Sequence, residues 1–249
     1  MLSTGDIALI CSARHGDPFA VLGAHAVDGG WELRSYQPGA SAVTAIDAVS
    51  GAELARLERR EATGFFEGAG HGAPPRNYRL QVRWSDGNES TLDDPYRHDP
   101  VLGEMDTWLL AEGSHLRPWE VLGARLAVKD GVAGTSFAVW APNAARVAVV
   151  GDFNHWDGRR HPMRLRRECG VWELFLPGVG AGAHYKYELR ARDGHLLPLK
   201  ADPYALQSEI RPQTASVVMR LPAPLPPSPE RGSANALDAP VAIYEVHLG

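Results

Sequence analysis

The sequence predicts an all-β chain built from two tandem antiparallel β-sandwiches, and three observations lead there. The first is an internal repeat. His15, Pro18, Phe19, Val21, Leu22 and Gly23 recur as His115, Pro118, Trp119, Val121, Leu122 and Gly123, an offset of 100 residues. Tyr36 to Ala40 then answers Trp140 to Ala144, Gly64 to Glu67 answers Gly170 to Glu173, Asn77 to Leu80 answers His184 to Tyr187, and Asp94-Pro95-Tyr96 answers Asp202-Pro203-Tyr204, so the offset grows through 104, 106 and 107 to 108. A steadily growing offset describes a duplicated module whose second copy carries longer loops, not a solenoid. The second observation is period-two alternation, with Tyr78, Leu80, Val82 and Trp84 set against Arg79, Gln81 and Arg83. Tyr185, Tyr187 and Leu189 alternate likewise with Lys186, Glu188 and Arg190. The third is punctuation: Ser85-Asp86-Gly87 and Arg192-Asp193-Gly194 close those runs, and no long helical period intervenes. Short strands joined by turns at this spacing describe an immunoglobulin-like sandwich in each copy.

Taken in order, residues 1–14 form an N-terminal segment in which Ser3, Thr4 and Asp6 can cap a short helix over residues 3–14. Residues 15–100 form the first sandwich, with Val43 to Val49 and Glu53 to Leu57 flanking Ser50-Gly51 as a hairpin. Residues 101–114, with Met105, Trp108, Leu109 and Leu110, are read as a connector, and residues 115–220 as the second sandwich. Residues 221–240 hold prolines at 222, 224, 226, 227, 229 and 240 and read as a semi-extended linker. Residues 241–249 end in Val241 to Leu248, an apolar run of the kind buried on both faces of a parallel sheet. A strand of that kind needs neighbours absent from this sequence, so the chain is expected to be the N-terminal part of a longer protein.

Composition narrows the function classes. A net charge of -5 over 249 residues gives no basic footprint for nucleic acid or an anionic membrane surface. Cys11 and Cys169, the only cysteines, are far apart and match no metal or redox spacing, which points to a reduced, cytoplasmic setting. The apolar stretch Ile7 to Cys11 is too short for a signal peptide or a membrane span. His155 and His161 have no Cys or carboxylate at ligand spacing, so neither a metal nor a cofactor is expected. Asp93-Asp94 and Asp202 invite a catalytic-pair reading, but their shared Asp-Pro-Tyr context reads as a structural turn capping each copy. No catalytic residue is assigned.

Two segments carry a family resemblance. Val150-Gly151-Asp152-Phe153-Asn154-His155-Trp156-Asp157-Gly158 resembles the starch- and glycogen-binding module placed ahead of the barrel in α-amylase-superfamily enzymes that act on α-1,6 branch points. Ile243-Tyr244-Glu245-Val246-His247 is similar to the first strand of their (β/α)8 barrel. The doubled module opening with His15-Gly16-Asp17-Pro18-Phe19, and the run Leu196 to Tyr204, most resemble the bacterial 1,4-α-glucan (glycogen) branching enzymes. The resemblance covers essentially the whole chain. It implies a parent enzyme that cleaves an α-1,4 linkage and moves the released chain to a 6-hydroxyl through a retaining mechanism with two carboxyl groups. Those groups belong to later barrel strands. It implies α-glucan (glycogen, amylose, malto-oligosaccharides) and the chain's own absent barrel as partners. A debranching or trehalose-releasing hydrolase and a stand-alone glucan-binding adaptor are the alternatives. The doubled motif weighs against the first and the terminal strand against the second.

Two carbohydrate-binding candidates follow. Trp156 sits in a loop that Asx-type bonds can fold back, which would present a flat indole to the apolar face of a glucose unit. Packing over the sandwich edge is the competing reading, as expected for Trp31, Trp84, Trp140 and Trp172 within strands. Lys186 matches a polar glucan contact of the relatives; a solvated strand lysine is the simpler reading of the residues alone. The resemblance also shows departures: Asp193-Gly194 is followed by His195 rather than an aromatic platform, and no amide ligand stands near Ser216-Val217-Val218. In the first copy Ile46-Asp47-Ala48-Val49 replaces the Gly-Asp-Phe-Asn-His-Trp loop, so that copy is read as a packing domain. The arginines at 159, 160, 164, 166 and 167 read as a solvated face.

Overall fold

The computed structural model describes residues 2–61, 64–223, 226, 231–234, 236–241 and 243–246. One compact unit spans Met1–Met219 and a second Arg220–Gly249. The first opens with α1 (Thr4–Cys11), where Ser3 Oγ accepts from the Asp6 backbone N–H at 3.1 Å and Asp6 lies in the first turn, where a negative charge suits the helix dipole. Ile7 and Ile10 bury one face of α1 against Val21, Leu22, Tyr36 and Phe65.

Seven strands follow: β1 (Gly23–Val27), β2 (Gly30–Tyr36), β3 (Ala40–Asp47), β4 (Glu53–Glu61), β5 (Phe65–Gly70), β6 (Tyr78–Trp84) and β7 (Glu89–Asp93). They form a single antiparallel sheet in the order β1-β2-β5-β4-β3-β6-β7. The hairpin across Ser50-Gly51 is present as β3 and β4, paired from Val43↔Leu57 to Ile46↔Glu53. From Glu58 onward β4 pairs instead with β5. This change of partner within one strand curls the sheet over a core of Leu33, Val43, Leu57, Phe66, Tyr78, Leu80 and Val82. The first copy is therefore one curled sheet in which β4 belongs to both halves, rather than two detached layers.

The connector has structure that was not read from the sequence. It contains a helix, α2 (Glu104–Glu112), ended by Gly113 in the left-handed region at φ 72°. Its apolar residues gave no helical period because Met105 and Trp108 face solvent while Thr107 is the buried position.

The second copy does consist of two sheets. Strands β8 (Gly123–Lys129), β9 (Val132–Trp140), β11 (Arg164–Arg166) and β12 (Val171–Pro177) form one in the order β11-β12-β9-β8. Strands β10 (Ala144–Gly151), β13 (His184–Ala191), β14 (Gln207–Ser208) and β15 (Ser216–Val217) form the other, ordered β10-β13-β15-β14. Phe137, Val147, Val149, Trp172, Leu174, Tyr185 and Tyr187 fill its core.

The repeat has a matching physical basis in both copies. Tyr78 and Tyr185 are buried at equivalent inward strand positions; their hydroxyls donate to Asp94 Oδ2 at 2.6 Å and Asp202 Oδ2 at 2.7 Å. Each aspartate also accepts from the backbone N–H two residues on, Tyr96 at 2.9 Å and Tyr204 at 2.8 Å. The Asp-Pro-Tyr segment is thus a structural turn. Gly23 and Gly123, at φ 93° and 91°, pack so closely on it that a Cβ would lie 2.9 Å from Tyr96 O and 2.7 Å from Tyr204 O. That contact explains why both ends of the repeat recur together.

In the second unit one helical turn, Arg231–Ala234, interrupts the expected linker. The linker at 224, 225, 227–230 and 235, and the terminal strand at 242 and 247–249, lie outside the described residues. Val241 and Ile243 to Val246 form no strand, and Ile243 and Tyr244 are 89% and 90% exposed.

Candidate functional site

The loop that leaves β10 is held by one buried side chain. Asn154 Oδ1 accepts from the Gly151 N–H at 2.9 Å, while Nδ2 donates to Val149 O at 2.9 Å and to His161 Nδ1 at 2.9 Å. Asp152–Asn154 make a 3-10 turn, after which His155 and Trp156 both adopt the left-handed conformation, at φ 57° and 58°. Farther along, buried Arg146 of β10 donates to Glu188 Oε1 of β13 at 2.9 Å and to Gly158 O, pinning the middle of the loop. The loop returns beside the free edge of β10 through Val149 N→His161 O at 3.2 Å and Met163 N→Val147 O at 2.9 Å.

His161 shows what that packing does to chemistry: burial, with the nearby Arg160 guanidinium, pushes its imidazole down to about 4. The neutral ring is the form whose Nδ1 can accept from Asn154.

Trp156 is half-buried at the turn, with its backbone N–H on Gly151 O at 3.0 Å and Nε1 donating to Asp152 Oδ1 at 2.9 Å. Asp152 Oδ2 lies 3.3 Å from His184 Nδ1 at the start of β13. Lys186 is two residues farther along, on the same outward face as His184, opposite Val150 of β10. Its ammonium donates to Thr214 Oγ1 at 2.7 Å. Trp156 is thus linked through Asp152 to His184, which lies on the same outward face of β13 as Lys186. The roles of Asn154 as keystone and of Thr214 as tether were not read from the sequence. The Asx-turn pattern marks the loop but not which side chain points inward.

Other expectations change. Trp31 and Trp172 are buried, but Trp84 is half-buried and Trp140 is 60% exposed. The arginines are not a uniform solvated face. Arg159 pairs with Asp157 at 2.7 Å and Arg166 with Glu168 at 2.7 Å. Arg160 reaches Pro38 O at 3.0 Å, and Arg164 stacks 3.7 Å from the Phe19 ring centroid while donating to His98 O at 3.3 Å. Arg160 and Arg164 therefore tie the second copy to elements before residue 100, contacts that no local pattern announces.

Comparison with known proteins gives two matches along the chain. Residues 3–96 match the family described as "alpha-1,4-glucan branching enzyme GlgB, N-terminal domain", and residues 121–205 match carbohydrate-binding module 48, the isoamylase N-terminal domain. The 1,4-alpha-glucan branching enzyme GlgB of Paramagnetospirillum magneticum is 53% identical over all of this chain, which spans 34% of that relative's length. Among solved structures, pullulanase type I from Bacillus subtilis str. 168 complexed with maltose is 19% identical with a TM-score of 0.34, over 82% of this chain and 28% of that one. Pullulanase from Anoxybacillus sp. LM18-11 is 18% identical with a TM-score of 0.33, over 82% and 29%. Likenesses at those scores bear on neither site nor function. The two family matches lie in order along the chain, and with the extended identity across both the chain is similar to the N-terminal region of an alpha-1,4-glucan branching enzyme.

Proposed function

We propose that this chain is the glucan-binding and positioning region of a 1,4-α-glucan branching enzyme, holding an α-1,4 chain for a catalytic barrel that forms α-1,6 branches. The observation that carries the reading is the Gly151–Trp156 loop, in which Asn154 fixes the backbone and Asp152 fixes the indole edge. A ring held by its N–H presents a face without further ordering cost, and Lys186 with Thr214 supplies hydrogen-bonding groups on the outward face of β13 that includes His184. The domain division 15–100, 115–220 and 221–240, and pairing of residues 241–248 with the strands of that barrel, are part of the proposal. The exposure of Ile243 and Tyr244 supports the pairing, because an apolar strand gains both burial and hydrogen bonds from neighbours. A cytoplasmic setting goes with it; among the described residues no helix is long and apolar enough to cross a membrane.

One indole face covered by a sugar removes roughly 80 Å² of apolar surface, about 2 kcal/mol before the cost of association. Millimolar affinity requires about 4 kcal/mol, so binding must accumulate over several weak contacts on one polymer. Glycogen should retard the chain in native gels while maltose gives no detectable binding. Trp156→Ala should reduce that retardation severalfold without unfolding the chain, and Lys186→Ala should reduce it less. Equal retardation of wild type and a folded Trp156→Ala chain would remove the loop from glucan recognition.

A further inference from the structure

A cleft of about 900 Å³ lies within the Met1–Met219 unit, between the β6–β7 end of the curled sheet and the loops of the second copy. Trp84 lines one wall, with Nε1 fixed on Ser90 Oγ at 2.8 Å and the Arg160 guanidinium 5.6 Å from its ring centroid. The polar groups around it are incompletely used. Arg160 Nε is buried with no hydrogen-bond acceptor, its nearest carboxylate oxygen being Asp157 Oδ2 at 3.8 Å. The Asn88 side-chain carbonyl, the Thr91 hydroxyl and the His155 ring belong to exposed residues and are open to a ligand at the mouth of the cleft. Trp84, Asn88, Ser90, Thr91, His155 and Arg160 all line the cleft.

This combination selects a ligand class. Idle donors and acceptors beside an indole suit a ring with one apolar face and a rim of hydroxyls. Glu89 and Asp93 on the walls are paired with Arg83 and with Arg79 and Arg97, and Asp157 stands 3.8 Å from Arg160, so among the described residues the cleft gathers no cluster of unpaired cations for a phosphate or other anion. No three His, Cys, Asp or Glu side chains converge as a cation would need among the described residues. A neutral polyol is what remains. We propose that this cleft is a second α-glucan site, with Trp84 as its platform and Asn88, Thr91, His155 and Arg160 as its hydrogen-bonding rim. The inference takes only the ligand class from the proposed function; its residues are separate from Trp156 and Lys186. It gives the curled sheet a binding role through the β6–β7 turn although that copy lacks the Gly-Asp-Phe-Asn-His-Trp loop. His155 lines the cleft beside Trp156 in sequence, so one polymer could engage both sites, and two weak sites on one chain raise avidity by effective concentration.

The test is a titration of the isotopically labelled 249-residue chain with maltoheptaose, followed by two-dimensional NMR. Each of the seven tryptophans gives its own indole N–H signal, assigned by Trp→Phe variants. The Trp84 indole and Asn88 backbone signals should shift with maltoheptaose, and should still shift in Trp156→Ala. Thr91→Val and Asn88→Ala should each weaken the response at Trp84 severalfold, the double variant more than fivefold, with the Trp156 response reduced less than that at Trp84. Thr91→Val keeps the shape of the residue and leaves the turn bonds of Asn88 in place, so it remains informative if Asn88→Ala disturbs the turn. A Trp84 signal that stays still while Trp156 responds overturns the cleft and leaves the loop standing. A Trp84 response without one at Trp156 does the reverse, and silence at both overturns both. An undiminished Trp84 response in the folded double variant also overturns the proposal.

Discussion

Asn154 satisfies three groups with one buried amide, so it is the residue on which the loop most depends. Asn154→Ala would leave Gly151 N–H and Val149 O without these partners, a loss of about 2–4 kcal/mol when buried polar groups go unpaired. Urea unfolding should show that loss, and glycogen retardation should fall even though Trp156 is intact, because its indole then has no fixed turn. Trp156→Ala should cost far less stability than Asn154→Ala; the reverse order would mean that the indole is packing and the amide incidental. His161 makes the same loop sensitive to acid. Its folded value lies near 4 against an ordinary 6.5, so between those values the unfolded chain binds the extra proton. Stability from this group is complete above about 6.5 and is lost as pH falls toward 4, at most about 3 kcal/mol, less what its partial exposure to water screens. His161→Gln should flatten the pH dependence of the urea midpoint in that window. An unchanged slope would place the acid sensitivity elsewhere.

At the scale of elements, the repeat is best understood as a contact between a glycine and a turn. Gly23 and Gly123 occupy left-handed backbone regions and lie within van der Waals reach of the tyrosine carbonyl of the Asp-Pro-Tyr turn, whose aspartate is anchored by Tyr78 or Tyr185. Gly23→Ala and Gly123→Ala combine an unfavourable φ with a steric clash, and each should cost about 2–4 kcal/mol, seen as parallel shifts of the urea midpoint. A cost at only one site would mean that the copies have diverged in how they close. These elements were legible because their determinants are local: alternation in Tyr78–Trp84 and His184–Leu189, Gly or Asp-Gly turns, a serine cap before α1. Four features were not. Strands β14 and β15 have two residues each and exist only through pairing, β15 with β13 and β14 with β15, and α2 presents exposed apolar residues that break its period. The partner exchange along β4 depends on distant strands, and the contacts of Arg160 and Arg164 bridge more than sixty residues of sequence. The candidate site divides the same way. Its loop was readable from Gly-Asp-Phe-Asn-His-Trp, while Asn154 as keystone and the Trp84 cleft required the fold.

For the whole molecule, the disposition of its carboxyl groups argues that binding and bond-making are separate tasks. Retaining transfer between glucans needs two carboxyl groups about 5–5.5 Å apart across an open site, one of them with a raised pKa. Burial does raise the carboxyls of Asp94 and Asp202, but each is enclosed and bonded to a buried tyrosine hydroxyl, Tyr78 in one copy and Tyr185 with Tyr187 in the other. An acid in that position can neither reach a glycosidic oxygen nor receive a sugar. Glu173, also buried, accepts from Leu102 N–H at 2.7 Å and pairs with Arg166 at 3.4 Å, so it joins the connector to β12 rather than facing a cleft. Amylose incubated with the purified chain should therefore keep its iodine absorbance and gain no α-1,6 linkages detectable by proton NMR, although glycogen is expected to retard the same preparation. Asp94→Asn and Asp202→Asn should lower stability without altering that null turnover. Branching activity by the purified chain, abolished by either substitution in a variant that remains folded, would show that the enclosed carboxyls open to substrate and that the chain itself does chemistry.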